Sequence, residues 1–381
     1  MGRTQLINWD SPESHVLLNP RLPENLSDQA TIERLPTIPA HIWLGSSGTT
    51  STGQLTLYGL SKSAFLTAAE AANKHLEADG SDVWLLTLPV HHVGGLSIWA
   101  RSFLGGQQVV DQSKDVWSAE KFHKWVNDSK VTLASLVPTQ IYDLVQLGKR
   151  SPKSLRAIVV GGAALTETLY LQARDLGFPC LPSFGSTETC AQMATAEISS
   201  LHGDAYPELR LLSHVEAMVT EDGMLAVRSP ALFTARADIK FDHVEVLWRA
   251  GEWFVMKDMA ELSFDESKPD LVWLHHRGRA GDSIKISGEL VNLAELSDLF
   301  AKISAGVEAS ILAVPDSRKG FEICLAVATR YYSQVEAWIQ IFNSQVLPVA
   351  KIRGVYFMTA LPKTDLNKIM VGELKKRIGV E

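Results

Sequence analysis

Cysteine is scarce and scattered in this chain of 381 residues. Cys180, Cys190 and Cys324 are too few and too far apart for a disulfide framework, and no Cys/His spacing matches a zinc site, so a reducing, cytoplasmic setting is expected. Long apolar runs are missing as well. No continuous apolar run reaches the roughly 18 residues of a membrane span, and Asp10, Pro12 and Glu13 interrupt the first residues where an export signal would need an apolar segment. An excess of positive charge is absent: 36 Lys and Arg stand against 43 Asp and Glu, a net charge of −7. That balance excludes nucleic acid or an anionic membrane as the main partner, while leaving room for a local basic site that takes a small anion. Repeats and low-complexity tracts are also lacking. With 46% hydrophobic and 21% charged residues the composition is that of a globular protein of two or three domains. Pro12, Pro20, Pro23, Pro36 and Pro39 mark an irregular lead-in, with one short helix expected near Asp28 to Leu35.

What is present begins with an abrupt change of chemistry. The apolar, strand-like His41-Ile-Trp-Leu-Gly45 empties into Ser46, Ser47, Gly48, Thr49, Thr50, Ser51, Thr52 and Gly53. Hydroxyl donors and a tightly folded glycine backbone suit phosphate oxygens, although the segment is not a Walker loop and on composition alone reads equally as an ordinary turn. Beyond it, Gln54 to Leu57 reads as a return strand. Ser61 caps a helix with Phe65, Ala68, Ala69, Ala72 and Leu76 on one face. Val83 to Leu88 is a buried strand, Leu96 to Phe103 a helix, and His91-His92-Val-Gly-Gly95 lies between them. Val131 to Val137, Thr139 to Leu147, Leu155 to Val160 and Thr168 to Leu176 then alternate strand and helix, the order of a parallel sheet covered by helices. Gly161, Gly162 and Gly185 each follow a strand, at the strand carboxyl ends where open α/β sheets bind ligands, although a plain tight turn accounts for them equally well. From about Arg210 short β segments take over: Val215 to Thr220, a turn at Glu221-Asp-Gly223, Met224 to Val227, Trp253 to Met256 and Leu271 to Leu274. The last hundred residues carry their own signals at Ala309 to Val314, Glu322 to Ala328 and Val335 to Phe342.

Five stretches stand in one order: Ser46 to Gln54, Pro89 to Leu96, Ser183-Phe-Gly-Ser-Thr-Glu-Thr189, Gly278-Arg-Ala-Gly-Asp-Ser-Ile-Lys-Ile-Ser-Gly288 and Leu361-Pro-Lys-Thr-Asp-Leu-Asn-Lys-Ile369. Together they resemble the acyl-adenylate-forming superfamily of acyl-CoA synthetases, luciferases and adenylation domains. The resemblance implies an enzyme, an AMP-forming acid–thiol ligase, in which a carboxylate attacks the α-phosphate of ATP and coenzyme A then takes the acyl group. It implies an α/β fold: a large N-terminal adenylate-forming domain, 1–278, of mostly parallel sheets flanked by helices with a small β subdomain, and a small mobile α+β domain, 279–381. The implied partners are a small carboxylic acid, ATP with Mg²⁺, and coenzyme A; a homo-oligomer is allowed.

Residue by residue, the resemblance implies that Ser46, Ser47, Gly48, Thr49 and Thr50 hold the β- and γ-phosphates. Thr187 bonds the α-phosphate and Glu188 holds Mg²⁺, a hard cation that favours oxygen. Gly162, Ala163, Ala164, Ser183, Phe184 and Gly185 form the base pocket, and Asp258 and Arg279 take the ribose hydroxyls. Lys368 bridges the substrate carboxylate and the α-phosphate, Gly281 is the hinge, and Ser287 and Gly288 line the coenzyme A path. His92, Gly95 and Arg101 match the branch of the superfamily that activates an aromatic keto-diacid, with Arg101 for the second carboxylate. Read without the motifs, Glu188 is a helix-start carboxylate, Asp258 and Arg279 are surface charges, and Lys368 and Arg101 are solvated cations.

The sequence also departs from the pattern. Gln54 stands where the hydroxyl loop usually ends in lysine, Lys257 and Asn367 replace glycines, and only 45 residues precede the hydroxyl loop, so part of the N-terminal subdomain is expected to be missing. A ligase for another small acid, and a decayed domain that binds nucleotide without turnover, are the competing readings. Retention of Lys368, Glu188, Asp258 and Arg279 speaks against decay.

Overall fold

The computed structural model describes residues 7–20, 22, 32–45, 54–240, 243–265, 268–280, 283–286, 289–316, 320–364 and 368–380. Of the helix expected at Asp28 to Leu35, residues 28–31 lie outside this set. The chain opens with strands β1 (His15–Leu17), β2 (His41–Gly45) and β3 (Gln54–Ser61), followed by helix α1 (Lys62–His75). Ser61 caps α1 as expected, its hydroxyl accepting from the Ala64 N–H. Burial extends beyond the expected face to Ala64, Ala71 and Lys62, whose ammonium donates to the Asn8 and Ser11 carbonyls.

Next come β4 (Val83–Leu86), α2 (Val93–Gly105), β5 (Gln108–Asp111), α3 (Ala119–Ser129), β6 (Leu133–Leu136), α4 (Pro138–Leu147), β7 (Ala157–Val160), α5 (Glu167–Asp175) and β8 (Cys180–Ser186). Strands β5, β4, β6, β7 and β8 pair in parallel in that order, and three of them, β4, β6 and β7, are apolar runs covered on both faces. Helix α3 and strand β5 were not among the sequence expectations. The signal for α3 was present, since Ser118 accepts from the Lys121 N–H and Phe122 and Val126 share the buried face.

The parallel region is one end of an eleven-stranded sheet. Its other strands are β9 (Ala191–Thr195), β10 (Leu209–Leu211), β11 (Glu216–Val219), β12 (Met224–Arg228), β15 (Trp253–Asp265) and β16 (Lys268–Arg279), all antiparallel to their neighbours. The expected small β region is therefore continuous with the parallel sheet, and its short segments at Trp253 and Leu271 belong to strands of 13 and 12 residues. A second, five-stranded sheet joins β1, β2 and β3 to β13 (Ala235–Lys240) and β14 (His243–Trp248).

The remaining elements are β17 (Ser283–Ile286), β18 (Glu289–Asn292), α6 (Leu293–Ile303), β19 (Ala309–Asp316), β20 (Gly320–Ala328), α7 (Tyr332–Gln345), β21 (Ile352–Met358) and α8 (Val371–Arg377). Their apolar clusters, around Phe300 and Phe342 and around Cys324 and Leu374, draw only on residues from Ile284 onward. Clusters of the earlier part stop at Leu274. Among the described residues no helix is long and apolar enough to cross a membrane.

Two local devices set the parallel sheet in register with the helices. Asp82, 5% exposed just ahead of β4, accepts from Arg156 Nε at 2.8 Å and Nη2 at 2.6 Å and from the Thr132 hydroxyl at 2.6 Å, while Arg156 also reaches the Leu76 carbonyl at the end of α1. Burial alone would raise the Asp82 pKa; the Arg156 and Thr132 hydrogen bonds outweigh it and hold the carboxyl below its ordinary value. The second device is the first turn of α2. A Cβ at Gly95 would lie 2.7 Å from the Leu88 carbonyl oxygen and closer still to that of Pro89, whereas a Cβ at Gly94 meets only a Leu88 methyl at 3.4 Å.

Arg156→Met is expected to cost about 2–3 kcal/mol at pH 7, because it strands a buried carboxylate although Arg156 itself is partly solvated. A depressed carboxyl pKa stabilises above the ordinary carboxylate range and stops doing so as pH falls through the folded value, so the wild-type advantage should narrow in urea melts below about pH 4. An unchanged difference there would reject the assignment to Asp82. Gly95→Ala should lower stability by about 2–4 kcal/mol while Gly94→Ala stays within about 0.5 kcal/mol, as measured by thermal melts of the two variants side by side.

Candidate active site

Strand β8 changes partners along its length. Residues 180–182 pair with β7 in parallel, and residues 183–186 pair with β9 antiparallel. The chain must therefore reverse at once, and it does so through a single 3₁₀ turn, Thr187–Thr189, followed by Cys190 at φ 54° and Ala191 at φ 99°. Thr187 and Glu188 sit on this turn. At Gly185 a Cβ would run into the Ala191 carbonyl, with its carbon only 2.6 Å away, so the register shift at Phe184/Gly185 accepts no side chain.

The Glu188 backbone carbonyl accepts from the Phe233 N–H at 2.9 Å. Its side chain is hydrogen-bonded by the Tyr58 hydroxyl of β3, and burial first, then the Glu188 charge, push the Tyr58 pKa up. Tyr58 had no signal in the sequence; it reaches Glu188 because β3 packs across the turn. Ser183 donates to the Val160 carbonyl at 3.1 Å, which holds the end of β8 beside Gly161, Gly162, Ala163 and Ala164 at the end of β7. Gly162, Ala163 and Ala164 are exposed there.

Asp258 and Arg279, 21 positions apart in sequence, face each other across β15 and β16, with Arg279 Nε 3.6 Å from Asp258 Oδ1. Asp258 is 8% exposed, so it is not the surface charge of the bland reading. His276 joins them, with Nε2 3.0 Å from the same oxygen and its ring 4.8 Å from that of Phe184. Phe184 and Asp258, assigned separately to base and ribose, are thus brought to one place by a residue that sequence reasoning missed.

His92 is the N-cap residue of α2, its ring 4.5 Å from that of His91, and Gly95 lies in the first turn. Helix α2 begins three residues earlier than expected and carries Arg101 into the interior rather than to the surface. Arg101 is 2% exposed, lies over the Trp84 ring at 5.1 Å, and donates through Nη2 to Gln192 Oε1; Gln192 in turn donates to the Thr195 hydroxyl at 2.6 Å. Arg101 Nε and Nη1 are buried without a hydrogen-bond partner, and burial pulls its pKa down to about 10. Among the described residues this guanidinium has no carboxylate partner, so its charge is buried with two donors unused.

Lys368 is exposed near the C-terminal end, where its N–H donates to the Thr364 hydroxyl at 3.2 Å and its carbonyl accepts from the Thr364 N–H at 2.8 Å. The neighbouring Lys363 pairs with Glu308 at 3.4 Å. Ser46, Ser47, Gly48, Thr49, Thr50, Gly281, Ser287 and Gly288 lie outside the described residues, as does the side chain of Gln54.

A 2-succinylbenzoate–CoA ligase of Oceanobacillus iheyensis is 26% identical over 322 residues, covering 81% of this chain and 64% of the relative, so the chain spans less than two thirds of that protein's length. The o-succinylbenzoate CoA synthetase of Bacillus subtilis in complex with the acyl-adenylate intermediate OSB-AMP superposes with a TM-score of 0.71 at 22% identity, over 88% of this chain and 68% of the other. ATP-bound MatB of Rhodopseudomonas palustris gives 0.73 at 19% identity, over 88% and 67%. These likenesses establish the adenylate-forming fold, and the family described as AMP-binding enzyme matches residues 45–230. Residues 45–230 therefore constitute a domain of the AMP-binding enzyme family.

Proposed function

We propose that this chain is an ATP-dependent acid–coenzyme A ligase that converts o-succinylbenzoate to o-succinylbenzoyl-CoA through an acyl-adenylate, a step of menaquinone biosynthesis in the cytoplasm. The observation that carries the substrate assignment is Arg101, a buried cation with two unpartnered donors, in a chain similar to a 2-succinylbenzoate–CoA ligase. An aromatic keto-diacid presents one carboxylate for activation and a second that must be held away from the phosphates. Arg101 supplies the charge for the second, with His92 and Gly95 shaping the entrance.

In the first half-reaction a carboxylate oxygen bonds to the α-phosphorus of ATP as the bond to the bridging oxygen breaks and pyrophosphate leaves. Phosphoryl transfer asks a protein mainly for position and charge neutralisation. Thr187 and the hydroxyls of residues 46–50 supply donors, and Lys368 a cation at the α-phosphate. Glu188, oriented by Tyr58, is an oxygen donor that fits Mg²⁺, which neutralises phosphate charge when bound. The base lies against Phe184, near Gly162 to Ala164 and Ser183 to Gly185, and Asp258 and Arg279 hold the ribose. In the second half-reaction the coenzyme A sulfur bonds to the acyl carbon, AMP leaves, and the thiol proton passes to solvent.

The same reading divides the chain at 278/279, where the apolar clusters separate, with Gly281 as hinge and Ser287 and Gly288 beside the pantetheine. Lys368 then acts in one domain orientation only.

Lys368→Ala is expected to reduce adenylate formation at least about a hundredfold while presynthesised acyl-adenylate still gives thioester with coenzyme A, because the ammonium acts only where charge gathers on the α-phosphate. Equal loss in both half-reactions would count against the two-orientation scheme. Arg101→Met should raise the KM for o-succinylbenzoate by roughly ten- to a hundredfold, the loss of about 1.5–3 kcal/mol in a charged hydrogen bond, and leave the KM for ATP nearly unchanged. Pyrophosphate release against a panel of carboxylic acids checks both variants. Equal loss towards monocarboxylic benzoates, or no preference for the diacid in the wild type, would replace this substrate with another small acid.

A further inference from the structure

His276 has no motif around it, yet it touches both halves of the candidate nucleoside site. Its Nε2 lies 3.0 Å from Asp258 Oδ1, and since a carboxylate only accepts, that nitrogen carries the proton. Its ring lies 4.8 Å from the Phe184 ring, tilted by 33°, so the two rings are close to stacked. In a regular strand residues 276 and 279 would point to opposite faces. The irregularity between Asp258 and Ala260 places one residue of β15, Met259, against two of β16, Arg277 and Gly278, pairing Asp258 with Arg279 and Ala260 with His276. That extra residue turns both side chains towards one carboxylate.

Among the described residues both contacts fall on Oδ1, from His276 at 3.0 Å and from Arg279 at 3.6 Å, which leaves Oδ2 to accept from a ligand. The two donors differ in how well they can hold the carboxylate: the Arg279 side chain is 57% exposed and that of His276 31%. The shorter contact comes from the less exposed group.

We propose that His276 is a positioning residue for the nucleotide: its N–H fixes the Asp258 carboxylate so that Oδ2 meets the ribose hydroxyls, and its ring backs Phe184 so that the opposite face receives the base. The proposal rests on the ATP-dependent reading above. It assigns the site a ribonucleotide with both hydroxyls in preference to a deoxynucleotide, and makes that preference depend on His276 rather than on Asp258 alone.

Two variants separate the two contacts. His276→Phe keeps a ring beside Phe184 and removes the donor, whereas His276→Gln keeps a donor and removes the ring. With KM and kcat measured for ATP and for 2′,3′-dideoxy-ATP by pyrophosphate release, the wild type should prefer ATP by at least about tenfold. His276→Phe should raise the KM for ATP about tenfold with kcat within about twofold, and its preference over the dideoxynucleotide should fall below about threefold. His276→Gln should retain most of that preference and lose affinity equally for both nucleotides. Thermal melts establish that each variant is folded, and if His276→Phe does not fold the Gln variant decides, since loss of ribose preference there overturns the proposal. An unchanged preference in His276→Phe, or a fall in kcat without a change in KM, overturns it too. Absence of any ATP-dependent pyrophosphate release in the wild type would instead reject the reading on which it rests.

Discussion

The change of partner along β8 is the constraint on which the candidate site depends. A strand that is parallel to one neighbour through residue 182 and antiparallel to the next from residue 183 must reverse within a few residues. A parallel connection would require a long crossover; an antiparallel one requires a tight turn. The tight turn places Thr187 and Glu188 at the sheet edge, forces Cys190 and Ala191 to positive φ, and leaves no room for a side chain at Gly185. Backbone strain at two non-glycine residues persists only where surrounding packing over-determines it, and here the Phe233 N–H to Glu188 carbonyl bond and the buried Cys190 provide that packing.

Two arginine systems, one partly exposed and one buried, place the same side chain in opposite surroundings. Arg156 is matched to Asp82 in bidentate geometry, with further bonds to carbonyls, and ties α1, β4 and β6 together. Arg101 has an amide, an aromatic face and two unused donors, but no carboxylate among its contacts. Burying a cation in that way costs stability.

The later part of the chain meets the earlier part through a few polar contacts. Lys302 of α6 pairs with Glu167 of α5 at 2.8 Å, and Tyr331 hydrogen-bonds Tyr142 of α4. An exposed ion pair such as that of Lys302 and Glu167 contributes little by itself.

Much of this protein was legible from the sequence because it depends on local rules. Ser61 ahead of an alanine-rich period, apolar runs ending at glycine, and strand–helix alternation from Val83 to Leu176 are properties of short segments, and the structure contains the corresponding capped helix and parallel strands. The motifs at Ser183 to Thr189 and at Asp258 and Arg279 were likewise recognisable as strings. Position in space was not. That Asp258 is buried and faces Arg279 depends on the register of two long strands and on one irregularity between them, and register is set by turns and packing far from either residue. Tyr58 at Glu188 and His276 between Phe184 and Asp258 have no sequence signal, because each acts through a neighbour from another strand. The interior place of Arg101 was decided by α2 starting at Val93 and by its packing over Trp84. Local chemistry and segment type were therefore determined by the sequence alone, while burial, pairing and the choice of which charged groups meet were decided by the tertiary structure, since those depend on contacts between residues distant in the chain.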